Sequence, residues 1–327
     1  MTASRAPSQP SPLTLIGLDD ILAARARIAP YVSLTPIVAM NPSGLRLKAE
    51  SLHPIGVFKI RGAFNALLLL DAAARTAGVV AHSSGNHAQA VAYAAKRLGI
   101  PAVVVMPSNA PAVKVEGVRR WGAQIVVVGP ASSERAAKSR ELAQERGLTL
   151  IEPYDAEAIM AGTGTIGLEI LEQVPDVEAV FAPVSGGGLI GGLAAAIKLT
   201  QPKVRVIGVE PELAADAYES LKAGRVVSLT AEETSRTMAD GLRVQHLGAR
   251  TWPHVRAFVD EIVTVSEDAI GEAMRRIAHE ARLVAEPSGA VSVAGALAHA
   301  RGTAHGVAVL SGGNVDLALY AAILSKP

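Results

Sequence analysis

The chain contains no cysteine. Disulfides, thiolate catalysis and cysteine-ligated zinc are therefore excluded. Aromatic residues are scarce, at 3% of 327 residues, while 50% are hydrophobic. Ala, Val, Leu, Ile and Gly must carry the core, as they do in parallel sheets covered on both faces. The chain also lacks a charge bias: 31 basic and 30 acidic residues, interspersed, leave a net +1. No basic stripe marks a nucleic-acid partner, and no acidic tail appears. Residues 179–197 are uncharged and nominally long enough to span a bilayer, but Pro183, Ser185 and five glycines interrupt them, so no membrane partner is expected. The start of the chain lacks a charged, then apolar, then small-residue pattern, so a soluble cytoplasmic protein without a signal peptide is expected.

What is present centres on residues 179–200. Ala179 to Val184 reads as a buried strand, followed by a glycine turn and a helix. Without side chains at Gly186, Gly187 and Gly188, the backbone N–H groups can converge on one space. The helix that follows adds unpaired N–H groups and the positive end of its dipole. That makes an anion site, with phosphate its usual occupant; the alternative is a tight turn without a ligand, although three consecutive glycines cost more backbone entropy than a turn needs. Gly186, Gly188 and Gly191 also satisfy G-x-G-x-x-G, and Glu210 ends the next strand, where a ribose-binding acid would stand. On these residues alone a nicotinamide dehydrogenase is a candidate.

Strand-like runs lie at 78–82, 101–106, 124–128, 148–152, 179–184, 204–209 and 307–311, with 44–52 as a short edge strand. Helical patterns lie at 18–28, 60–74, 87–98, 111–120, 132–146, 155–173, 189–200, 267–283 and 288–300. Such alternation implies an α/β fold with mostly parallel twisted sheets flanked by helices. Two interleaved domains are expected: 1–52 with 157–327 as the larger, and 53–156 inserted as the smaller. Residues 1–12 are Ser/Pro-rich and expected to be disordered, and residues 218–260 show the least regular pattern.

Three further stretches carry chemistry. Lys59 opens a helix whose later residues, Ala63 to Leu70, are almost all apolar. A helix N-terminus and low-dielectric surroundings both lower an ammonium pKa, and a neutral amine is what a Schiff base requires. The plain alternative is a solvated first-turn lysine. His82-Ser-Ser-Gly-Asn-His87 follows a strand and opens a helix. Ser83, Ser84, Gly85, Asn86 and His87 offer hydroxyls, an amide and N–H groups suited to a carboxylate, or simply an N-cap. Ser311-Gly-Gly-Asn314 follows a strand at the end where α/β sheets bind ligands, or is a capped turn.

Taken in order, Phe58-Lys-Ile-Arg-Gly-Ala63, Ser83-Ser-Gly-Asn-His87, Gly164-Thr-Ile-Gly-Leu-Glu169, Gly186-Gly-Gly-Leu189 and Ser311-Gly-Gly-Asn314 resemble one family. The chain looks like the pyridoxal-phosphate enzymes of the serine/threonine dehydratase group, most like their serine racemase branch, from about Leu18 to Leu319. The resemblance displaces the dehydrogenase, which leaves Lys59 and Ser311 without roles. It implies that Lys59, beside Phe58, is the Schiff-base lysine and one catalytic base. Ser185, Gly186, Gly187, Gly188 and Leu189 would hold the phosphate, Asn86 the ring hydroxyl, and Ser311 the pyridine nitrogen. A hydroxyl at that nitrogen moderates the electron sink and favours loss of a β-hydroxyl over transamination. The substrate carboxylate would sit on Ser83, Asn86 and the adjacent N–H groups. Ser84 would be the acid/base on the opposite face; many threonine dehydratases have alanine there.

Glu210, the carbonyl of Ala214 and Asp216 offer hard oxygen ligands after a strand, suited to Mg2+, or else Ca2+ or Mn2+, unless they are two surface carboxylates; the metal-dependent racemase and dehydratase branch resembles this spacing. Three residues depart from the pattern: Val57 for Ser or Thr, Ser185 for the first of four glycines, and Thr163 for Gln. The expected activity is dehydration of L-threonine or L-serine to a 2-oxo acid and ammonia, with serine racemisation. Serine racemase proper and threo-3-hydroxyaspartate dehydratase are the alternatives. A homodimer follows from the resemblance, and no regulatory domain is expected after Pro327.

Overall fold

The computed structural model describes residues 14–83, 85–110, 112–130, 132–299 and 305–326. The expected disorder of residues 1–12 and the position of Ser84 lie outside these residues. In chain order the strands are β1 (Ile37–Ala39), β2 (Arg46–Ala49), β3 (Val79–His82), β4 (Ala102–Pro107), β5 (Gln124–Val128), β6 (Thr149–Leu150), β7 (Ala179–Pro183), β8 (Arg205–Pro211), β9 (Glu261–Val265) and β10 (Gly306–Leu310). They form two sheets. One has six strands in the order β1-β2-β10-β7-β8-β9, the other four in the order β5-β4-β3-β6. Among the strands of the described residues only the β1–β2 pair is antiparallel. The four-stranded sheet is drawn wholly from residues between β2 and β7.

The central strands β7 and β10 are buried at every position. Their apolar runs do not alternate because helices cover both faces. Phe181, Val209 and Leu310 pack toward Val291 and Met274 on one side. Val180, Val206 and Val307 pack toward Ile190 and Leu193 on the other. In the smaller sheet, Ala81 packs with Phe64, Val91 and Ala94, and Val80 and Val105 with Leu142.

Several expectations need correction. The run at 44–52 is not an edge strand. β2 lies between β1 and β10, and the three-residue β1, too short to show a pattern, supplies the edge. The expected helix 60–74 breaks into Ile60–Leu68 and Ala72–Ala77, because the Asp71 carboxylate caps the Ala74 N–H at 2.8 Å and starts a new helix. The helix expected at 267–283 is α-helical over Glu267–Arg276 and continues as a π-helical turn, Ile277–Ala281. Residues 218–260 contain ordered helices, including Thr251–Phe258. As expected, in contrast, the uncharged run 179–197 is β7, a turn and part of the helix Gly188–Thr200. No helix among the described residues is long and apolar enough to cross a membrane.

Candidate active site

The carboxyl ends of β3, β7 and β10 carry the three motif loops, the place where open α/β sheets bind ligands. Beyond β10, Gly312 pairs antiparallel with Val57. The Ser311 carbonyl accepts from the Phe58 N–H at 3.1 Å, and the Gly56 carbonyl from the Gly313 N–H at 2.9 Å. This ladder carries Lys59, the N-cap of helix Ile60–Leu68, to the end of β10 beside Ser311, which is 5% exposed. The Lys59 amine donates to the Pro153 carbonyl at 3.4 Å and lies 5.0 Å from the Phe58 ring centre. Burial pulls that amine down to about 8, against a smaller upward pull from Glu286. A useful fraction is then neutral near physiological pH, as nucleophilic attack on an aldehyde requires.

The glycine loop opens the helix Gly188–Thr200, and no side chain caps that end. Its first N–H groups therefore remain for an anion. Gly187 is the N-cap at φ 88, a conformation that favours glycine. A Cβ at Gly186 would lie 2.5 Å from Tyr154 ring carbons, and one at Gly188 2.8 Å from the Tyr154 Cβ. Only glycine lets the loop close on that ring. Ser185, in place of the first glycine, adopts φ 54 and donates its hydroxyl to the Gly241 carbonyl at 3.2 Å. The Gly186 carbonyl accepts from Thr251 Oγ1 at 2.6 Å. Thr163 donates Oγ1 to the Gly188 carbonyl at 2.8 Å, so the residue that departs from the family pattern supports the loop. Leu189 is buried in the core beneath it.

The helix Asn86–Leu98 likewise begins without a side-chain cap, at Gly85. The Gly85 N–H donates to Ser83 Oγ at 3.1 Å. Asn86 donates Nδ2 to Glu286 at 2.6 Å and accepts at Oδ1 from Asn314 Nδ2 at 2.9 Å. These bonds orient its amide and join this loop to the Ser311–Asn314 loop. Glu286 is buried and raised to about 7, chiefly by desolvation, and its other oxygen has no partner. The His87 ring is committed elsewhere: Nε2–H donates to the Ile151 carbonyl at 3.1 Å, and burial followed by the Lys59 charge lowers its pKa to about 3. His87 thus offers an anion its backbone N–H rather than a charged ring.

Residues 151–155 form a wall of the site that carries no motif. Ile151 and Pro153 supply the carbonyls just described, and Tyr154 covers the glycine loop. The Asp155 carboxylate accepts from the N–H groups of Ala249, Arg250 and Thr251 at 3.1, 2.7 and 3.1 Å, capping helix Thr251–Phe258. Burial raises the Tyr154 phenol to about 12, with Asp155, Glu152 and Asp216 adding to it. Across the site, Lys114 pairs with Asp240.

Glu210 and Asp216 are 1% and 0% exposed. Glu210 Oε2 accepts from the Tyr218 N–H at 2.8 Å, but Glu210 Oε1 and both Asp216 oxygens have no partner. Desolvation raises both carboxyls, Glu210 well above the usual range with Asp216 adding repulsion, and Asp216 to about 7. Ala214, 1% exposed, closes the short turn between them. Two buried acids with no ion-pair partner among the described residues fit a bound cation. No group of three or more His, Asp or Glu side chains converges among the described residues, so such a cation would need backbone and water ligands as well.

Comparison with known proteins bears on this geometry directly. The pyridoxal-phosphate dependent enzyme family matches residues 27–312. The chain is 41% identical to a serine racemase of Oryza sativa subsp. indica over 314 residues, 92% of this chain and 91% of that one. It is 41% identical to an L-threo-3-hydroxyaspartate ammonia-lyase of Saccharomyces cerevisiae, over 94% and 95% of the two chains. Among solved structures it superposes on a maize serine racemase with TM-score 0.90 and 40% identity, covering 95% and 97% of the two chains. The glycine fingerprint therefore does not signify a nicotinamide enzyme. Lys59, the uncapped glycine-loop helix and Ser311 fit pyridoxal phosphate, and the chain belongs to the pyridoxal-phosphate dependent enzyme family.

Proposed function

We propose that the protein dehydrates L-threonine and L-serine to the 2-oxo acid and ammonia, and also racemises serine. The observation that carries this reading is the ladder that joins Lys59 to Ser311 between two uncapped helix N-termini. One N-terminus suits a phosphate and the other a substrate carboxylate. Bound at Lys59, the pyridoxal group supplies the electron sink that lets the substrate Cα–H bond ionise. Gly186, Gly187, Gly188 and Leu189, with Ser185, hold its phosphate. Asn86 would serve its ring hydroxyl and Ser311 its ring nitrogen. Ser83, Gly85, Asn86 and the His87 N–H orient the substrate carboxylate. Lys59 would take the Cα proton and hand it to the departing β-hydroxyl, which leaves as water; hydrolysis of the released enamino acid then gives 2-oxo acid and ammonia.

Racemisation needs a second base on the other face, the role assigned to Ser84. Glu210, Asp216 and the Ala214 carbonyl would hold Mg2+, or Ca2+ or Mn2+. The working form is a cytoplasmic homodimer, with 53–156 as the smaller domain. The test measures 2-oxo acid formation and inversion of serine by the holoenzyme and by Ser84→Ala. Loss of inversion with elimination retained is expected. Equal loss of both, or of neither, would refute the two-base assignment, and absence of any turnover would refute the activity.

A further inference from the structure

We infer that Lys114 and Asp240 are positioning residues: their ion pair fixes the N-terminus of the helix Asn86–Leu98 relative to the loop that holds the phosphate. The inference rests on the function proposed above, which gives those two places their ligands. β3 and β4 are parallel neighbours, paired from Val79–Ala102 to His82–Val105, so the segments that follow them leave the sheet side by side. The first carries Gly85, the N-cap of Asn86–Leu98, and the second leads into the helix Ala112–Arg120, which carries Lys114. Lys114 crosses directly over Gly85. A Cβ on Gly85 would overlap the Lys114 Cδ and stand 3.1 Å from its Cε and 3.3 Å from its Nζ. The glycine of Ser83-Ser-Gly-Asn-His87 thus leaves the space through which the lysine passes. Beyond it the amine pairs with Asp240, and the two side chains are 7% and 29% exposed.

Asp240 is bonded in turn toward the phosphate loop. Its other carboxylate oxygen accepts from Ser288 Oγ at 3.4 Å, Ser288 Oγ accepts from the Gly241 N–H at 2.8 Å, and the Gly241 carbonyl accepts from the Ser185 hydroxyl at 3.2 Å. Ser185 opens that loop, so one path of polar contacts runs from Lys114, over Gly85, to the phosphate site. Asn86, the next residue, ties the same helix end a second time, through Glu286 at 2.6 Å and Asn314 at 2.9 Å. After desolvation, the strongest influences on Glu286 are the charges of Lys114 and then Asp240, in opposite senses, so the two ties lie close together. A helix end held at two adjacent residues keeps one orientation, and a shift near 1 Å at a substrate-positioning group can cost up to about 100-fold in rate. Neither Lys114 nor Asp240 carries out a chemical step; their role is to hold the carboxylate end of the substrate against the cofactor.

The test measures kcat and KM for L-serine, and cofactor affinity by visible absorbance titration, in the wild type, Lys114→Met, Asp240→Asn and the double variant. Methionine and asparagine keep most of the bulk and remove the charge. Each single variant should lower kcat/KM about tenfold, the lower end of the coupling in a close charge pair. The double variant should lose no more than the worse single, because the tie breaks only once. Cofactor affinity should stay within about twofold of wild type, since the Ser288–Gly241–Ser185 bonds remain. Losses that add to about 100-fold in the double variant, single variants within about twofold of wild type, or cofactor affinity weakened as much as kcat/KM would each overturn the inference. Should Lys114→Met fail to fold, Gly85→Ala decides, since its Cβ displaces the lysine chain. Alone it should lower kcat/KM about tenfold, and in the Asp240→Asn background it should cost little more; a full further loss there would overturn the inference. No turnover by the wild-type holoprotein would refute the proposed function and this inference with it, whereas turnover that the variants leave unchanged would refute the inference alone.

Discussion

Replacing Arg61 by Met should cost the folded protein about 4–5 kcal/mol, the upper end of what removing one partner from a buried ion pair costs. Arg61 is 1% exposed and all five of its N–H groups are used. It donates to Glu50 from Nε and Nη2 at 2.8 Å each, to Glu169 from Nη1 and Nη2 at 2.6 and 2.8 Å, and to Thr165 from Nη1 at 3.1 Å. Burial alone would raise Glu50, yet the Arg61 charge, helped by His53, holds it well below the usual range. Lys48 closes the cluster with 2.5 and 2.8 Å bonds to Glu169 and Gln173 and 2.7 Å to the Thr35 carbonyl. Without Arg61, one lysine faces two buried carboxylates. Thermal unfolding should show a fall in Tm of about 10 °C, at about 2 °C per kcal/mol for a chain of this size. Arg61→Lys keeps the charge but loses the fork, and should cost about 2 kcal/mol. Lys59 lies two residues before Arg61 on the same helix end. Both variants should therefore lower kcat, by up to about 100-fold for a displacement near 1 Å, with KM little changed. A loss below about 1 kcal/mol in Arg61→Met would refute the claim that the two carboxylates depend on this cation.

Three further outcomes are expected. The Lys59 amine must be neutral to capture pyridoxal phosphate, and its pKa is lowered to about 8. Capture by apoprotein, followed by visible absorbance, should therefore rise roughly 50-fold from pH 6 to pH 8 and level off above it; a profile still climbing at pH 10 would contradict the burial argument. Gly187→Ala puts a Cβ 2.8 Å from Thr251 Oγ1 at φ 88. It should weaken cofactor binding by at least about 30-fold in an absorbance titration, while the loss of stability stays near 1–3 kcal/mol. Chelation should lower both Tm and activity, and added Mg2+ should restore them; a protein indifferent to both treatments would have no cation at Glu210 and Asp216.

The motif loops were legible because each concentrates its chemistry within a few consecutive residues at the end of an apolar strand. The glycines at 186–188 and the Ser83–His87 run act largely through backbone N–H groups, which a local reading can count. The wall at 151–155 was not legible. Pro153 contributes a carbonyl and Tyr154 a ring face, and neither role has a spacing signature. The Arg61 cluster was hidden for another reason: Glu50, Arg61 and Glu169 come together only through helix packing, and charged residues are ordinarily solvated. β1 and β9 were not legible because the first has three residues and the second follows the stretch whose sequence pattern is least regular. The helix break at Asp71 was visible as a capping residue, but the apolar run on its N-terminal side masked it.

The most direct test of Lys59 as the cofactor lysine is borohydride reduction of the holoprotein followed by peptide mapping. The purified protein should be yellow, lose its visible band on reduction, and carry one pyridoxyl group at Lys59. A colourless protein that pyridoxal phosphate cannot reconstitute, or a label on another lysine, would contradict the assignment.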